Sequence, residues 1–116
     1  MPPMETTELE SKPTPSPWVP ISNLVMQALL GKFLEESGEG LSAAARASIQ
    51  GLDGVVPGKD KTNFMWLRDE MADMFAVMAL LGNEIFTDHD LEMMQRRVDM
   101  KKKFLEKWID GLREKE

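Results

Sequence analysis

Six of the chain's seven prolines fall between Met1 and Pro20, and only Pro57 lies beyond them. Proline fixes φ and removes a backbone donor, so residues 1–20, with Glu, Ser and Thr between the prolines, read as an extended or flexible arm. From Ile21 the pattern changes. Leu24, Val25, Leu29, Phe33 and Leu34 recur three to four residues apart through to Glu39, which is helical spacing, and Ser22 or Asn23 can cap the start. An alanine-rich stretch over Ser42 to Gln50 predicts a second helix, stopped by Gly51. Gly51 to Thr62 holds three glycines, a proline, two lysines and two aspartates and reads as a loop. Its length is of the kind that carries function or mobility. Asn63 to Phe86 is the most apolar segment and predicts a buried central helix. Thr87 with Asp90 three residues on resembles a cap for a last helix over Asp88 to Leu112. No run of alternating β-branched residues occurs, so the expected fold is all-α, a four-helix bundle, with residues 21–116 forming one helical domain.

Composition narrows the chemistry. The 116 residues make one small domain at most. With 29% charged and 42% hydrophobic residues, neither disorder nor membrane composition fits the bulk of the chain. There is no cysteine and a single histidine, His89, which excludes disulfides, thiolate metal sites, cysteine nucleophiles and a His-rich metal centre. His89 itself is expected on the surface, in the first turn of the last helix. Twenty acidic against 14 basic residues leave a net charge of −6, which disfavours nucleic acid as a partner and suits cations. Any metal must take oxygen ligands, which points to Mg²⁺, Mn²⁺ or Ca²⁺. The longest apolar stretch, Met74 to Leu81, is too short to span a bilayer, and the N-terminus lacks a basic leader and apolar run. A cytoplasmic protein without a membrane partner is expected.

Acidic pairs three residues apart are common by chance in such a chain, about three from random placement. Direction decides more than spacing. At about 100° per residue, Glu36 and Glu39 share a stripe with Val25, Leu29 and Lys32 on the first helix. Glu70 and Asp73 share one with Asn63, Trp66, Val77 and Leu81 on the central helix. Both stripes are expected to face inward, where an unpaired carboxylate is unfavourable unless it takes up a proton or finds a partner. Four carboxylates on two helices that can pack antiparallel are best explained by bound cations. The bland alternative for the first pair is a solvated edge, with Lys32 paired to Glu36. The last helix supplies the opposite sign: Arg96, Met100, Lys103 and Lys107 form one stripe, flanked by Arg97, Lys101 and Lys102. Such cations beside a metal cluster suit a polyphosphate, although a basic face near a helix C-terminus is also favoured for its own sake.

Taken together, Glu36-Ser37-Gly38-Glu39 and Glu70-Met71-Ala72-Asp73 resemble the Glu-x-x-Glu and Glu-x-x-Asp motifs of the MazG family of all-α nucleoside triphosphate pyrophosphohydrolases, related to the dimeric dUTPases. The runs from Lys32 to Glu39 and from Leu67 to Met74 are similar to the family's flanking sequences, and Lys103-Phe104-Leu105-Glu106-Lys107 sits where the family tends to have Lys-Phe-x-x-Arg. The resemblance covers about Leu24 to Trp108. It departs in the 30 residues from Gly40 to Asp69 between the motifs, which look more like small phage or prophage members, and in Lys107 for Arg. It implies hydrolysis of an NTP or dNTP to the monophosphate and pyrophosphate, with Mg²⁺ (or Mn²⁺) on Glu36, Glu39, Glu70 and Asp73, and Glu39 orienting the attacking water. Lys32, Arg96, Lys103 and Lys107 would neutralise the triphosphate, and Asn63 and Trp66 would approach base or sugar. Trp66 as a core residue and Asn63 as a helix cap stay open as alternatives. A purine deoxynucleotide, dGTP or dATP, is the favoured substrate. The family's dimers and tetramers, the small ordered length and ten methionines together predict a homodimer or homotetramer. Two rival readings are a non-enzymatic helical adaptor and a hydrolase of another phosphate anhydride.

Overall fold

The computed structural model describes residues 15–116, which are all-helical apart from the loops and one isolated β-bridge. Residues 15–23 carry no regular secondary structure, and residues 1–14 of the expected arm lie outside the described part. Helix α1 spans Leu24–Gln50. Asn23 caps it by accepting the Met26 N–H at 3.0 Å, and Gly51 ends it at φ 82°, a conformation that glycine adopts without a Cβ penalty. Two helices are expected over this stretch, and one continuous helix forms instead. Glycine weakens a helix by about 1 kcal/mol relative to alanine, but Gly40 is buried at the contact with the next helix, where a Cβ would collide with the Met74 sulfur. Packing therefore carries the helix through the interruption. The described residues hold three helices, not four.

Thr62 caps α2, Asn63–Ile85, by accepting the Met65 N–H at 3.2 Å. Thr87 and Asp90 form a reciprocal capping box at the start of α3, Asp88–Arg113, and His89 is exposed in its first turn. The loop between α1 and α2 is pinned by its own backbone. Val56-Pro57-Gly58-Lys59 closes a turn through a 3.1 Å bond from the Lys59 N–H to the Val56 carbonyl, with Gly58 at φ 72° where the type II turn needs a positive angle. Val56 also donates to Lys61 at 2.9 Å, Asn63 to Gly54 at 2.7 Å and Phe64 to Leu52 at 2.9 Å.

Helices α1 and α2 pack against one another, whereas α3 makes no comparable contact with either and buries none of its residues. The radius of gyration is 20.9 Å, well above the roughly 13 Å of a closed 100-residue domain. Among the described residues, the apolar core of the single chain is Ala43, Val56 and Leu81. This corrects the expectation of a buried central helix: Phe75 is 62% exposed and Leu80 59%, because only one helix covers α2. No helix of the described residues is long and apolar enough to cross a membrane.

Candidate functional site

The face of α1 turned toward α2 runs through Leu29, Phe33, Glu36, Ser37, Gly40, Ala43 and Ala47, and that of α2 through Asn63, Trp66, Glu70, Met74, Val77 and Leu81. The α2 face has the phase expected from the sequence except at Asp73, which is exposed at its edge while Met74 takes the inward place. The α1 face is turned by about one residue, so that Val25, Lys32 and Glu39 lie exposed at its edge. Gly40 explains the turn, since the absence of a side chain there lets Met74 seat directly on the helix.

Where the two faces meet, Glu36, Glu70 and Asp73 each present a carboxylate oxygen, and these oxygens lie within 4.8 Å of one another. Glu39 stands beside this group, near enough for its negative charge to act on Glu70. The structure thus gathers three of the four expected ligands and places the fourth at their border. Burial pushes the Glu36 carboxyl above its ordinary range, and the negative charges of Glu39, Asp73 and Glu35 add to this while Lys32 opposes it. Glu70 is likewise raised, by burial first, then by the negative charges of Glu39 and Asp73, against a lowering hydrogen bond from Trp66. One oxygen of Glu36, one of Glu70 and the Ser37 hydroxyl are shielded from solvent without a hydrogen-bond partner. A buried acceptor without a donor is unfavourable. Converging hard oxygen ligands with unmet acceptor capacity fit a divalent cation of the Mg²⁺ or Mn²⁺ type.

The other expected contacts divide. Lys32 lies at the rim, 3.2 Å from Glu35 instead of paired to Glu36 as the solvated-edge alternative has it. Trp66 is half-buried and donates its indole N–H to Glu70 at 3.2 Å. Asn63, expected near a base or sugar, is wholly buried. Its amide donates to the Gly51 carbonyl at 2.9 Å and accepts from the Arg46 Nε at 3.1 Å. With both ends of the amide committed and no exposed surface, Asn63 serves as a clamp on the loop and not as a nucleotide contact; the cap is Thr62. Arg96, Lys103 and Lys107 ride on α3, and no ion pair joins them to the acidic group among the described residues; Arg96 pairs within its helix to Glu92 at 3.7 Å. A shallow groove along α3, lined by Met94, Arg97, Val98, Lys101, Lys102 and Leu105, contains none of the cluster residues.

Two contributors escaped the sequence reading. Arg46 is the one charged residue in the alanine-rich stretch from Ser42 to Gln50, and a lone charge among alanines is a signal that it has a specific partner. Ser37 lies inside the first acidic motif, on the buried side. Compared with known proteins, the chain matches no family model, no curated protein and no solved structure.

Proposed function

We propose that the protein is a Mg²⁺-dependent nucleoside triphosphate pyrophosphohydrolase of MazG-like type, also served by Mn²⁺, that acts in the cytoplasm. The reading is carried by the convergence of Glu36, Glu70 and Asp73, bordered by Glu39, with shielded oxygens that lack donors. These four residues would hold the metal, which when bound neutralises phosphate oxygens and lowers the pKa of a water. Glu39, on the open edge, would orient a water toward the α-phosphorus. Attack there would break the bond to the oxygen bridging to the β-phosphorus, with pyrophosphate leaving with the electron pair and the nucleoside monophosphate as the other product. Lys32, one turn before Glu36, meets phosphate charge at the rim.

The cations Arg96, Lys103 and Lys107 reach such a site from a second copy, because α3 is not folded back on its own α1 and α2. Two α1–α2 pairs from two chains make the four-helix bundle, in a homodimer or homotetramer. The substrate class is NTP or dNTP, with dGTP or dATP favoured.

The test is pyrophosphate release from the eight common NTPs and dNTPs with Mg²⁺, with nucleoside monophosphate as co-product. Glu39→Ala and Asp73→Ala are expected to abolish it. Silence of the wild type across the panel sinks the enzyme reading and leaves a helical adaptor, which the exposed apolar residues of α3, Met100, Phe104 and Trp108 among them, would then favour. A pyrophosphate-free product from another anhydride would reassign the substrate.

A further inference from the structure

Trp66 stands one helical turn before Glu70 on the inward face of α2, and its Nε1–H donates to Glu70 Oε1 at 3.2 Å. An indole offers one donor and no acceptor, and it carries no charge. It therefore occupies one oxygen of the carboxylate without neutralising it, whereas a Lys or Arg at this position would pair with Glu70 and compete with any cation. The second oxygen, Glu70 Oε2, is shielded from solvent and has no hydrogen-bond partner. A glutamate on three rotatable bonds loses side-chain freedom on being fixed, and the half-buried ring supplies the fixing from a neighbour that packing already holds. Carboxylates that ligate metals are held in this way by an outer layer of donors.

We infer that Trp66 is a positioning residue for the metal centre, its indole N–H setting the orientation of Glu70, and is not a contact for the base or sugar. The inference rests on the proposed cation site, and the two can fail separately.

Mn²⁺ binding to the full chain is measured by the free-ion EPR signal for wild type, Trp66→Phe and Trp108→Phe. Phenylalanine keeps an aromatic ring at the position and removes the donor. Trp66→Phe is expected to weaken Mn²⁺ binding about tenfold, and Trp108→Phe, on α3, to leave it unchanged. In Trp18→Phe/Trp108→Phe, where Trp66 is the sole remaining indole, paramagnetic Mn²⁺ is expected to quench the emission with the same midpoint as binding. Equal Mn²⁺ affinity in wild type and Trp66→Phe overturns the positioning role while the metal reading stands, and a raised KM for nucleotide alongside equal affinity would return Trp66 to the substrate. Absence of Mn²⁺ binding in the wild type removes both. Should Trp66→Phe fail to fold, the quenching decides alone: no quenching at saturating Mn²⁺ overturns the inference.

Discussion

Asn63 and Glu70 lie two turns apart on the same face of α2 and meet the same helix, yet their polar groups are treated in opposite ways. Asn63 engages both ends of its amide, with Arg46 and with the Gly51 carbonyl, and is fully out of water. Glu70 has one oxygen on an indole and another with nothing, and its neighbours Glu36, Glu39 and Asp73 share its charge. The first set is complete as it stands and belongs to the architecture: it ties the end of α1, the loop and the start of α2. The second set leaves buried acceptors without donors and holds like charges together, which raises Glu36 and Glu70. The difference separates a polar group whose bonding capacity is met within the chain from one whose capacity is not.

The comparison can be broken at either end. Asn63→Ala strands the Gly51 carbonyl and Arg46, and is expected to cost about 2–4 kcal/mol in urea unfolding, with or without Mg²⁺; a loss under about 0.5 kcal/mol would mean the clamp is dispensable. At the other end, a cation that binds only the folded form stabilises by RT ln(1 + [L]/Kd), about 2.7 kcal/mol at a hundredfold excess over Kd. Glu70→Gln is expected to raise the melting temperature of the metal-free protein and to abolish that gain. A variant that melts lower without metal would show that the cluster is structural. Gly54→Ala sharpens the clamp side: the new Cβ would sit 2.9 Å from the Asn63 amide nitrogen and 3.1 Å from the Gln50 carbonyl, and a loss of about 1–3 kcal/mol is expected from overpacking. The smallest effect is on pH dependence. Glu36 and Glu70 bind their protons more tightly folded than unfolded, so their contribution is fully present below the ordinary carboxylate pKa and is lost as pH rises through the raised values. Metal-free stability should therefore decline with rising pH over that window, and Glu70→Gln should flatten the decline.

Much of this was legible in the residues. The caps at Asn23 and Thr87 stand where the sequence pattern puts a helix start, because a short polar side chain before an apolar period has a donor to satisfy, whereas α2 is capped by Thr62 and not by Asn63, the cap offered by the sequence. The inward phase of α2 followed from Asn63, Trp66, Glu70, Val77 and Leu81, although Asp73, expected on the same stripe, is exposed. The phase of α1 did not, since Gly40 contributes nothing to an apolar pattern and yet sets the contact through what it lacks. For the same reason the stretch between Glu39 and Ser42 reads as a gap between two helices, when tertiary contact at Gly40 holds one helix through it. Asn63 misled in another way: its residue type is shared by helix caps, substrate contacts and buried clamps, and only its neighbours Arg46 and Gly51, distant in sequence, distinguish them. The loop over Gly51 to Thr62 was readable from its glycines and proline, but the Val56-Pro57-Gly58-Lys59 turn and the backbone bonds that pin the rest of the loop were not.

The solitary state of α3 has a consequence in time as well as in space. Helix α3 is held within the single chain by its capping box and by pairs such as Arg96 with Glu92, and by little else. A helix supported only locally opens readily in water, so its amides should exchange with deuterium far faster than those of α1 and α2 where these pack. Any surface that covers α3 would slow that exchange, and the protection along residues 88–113 then becomes a clock for how long the helix stays covered.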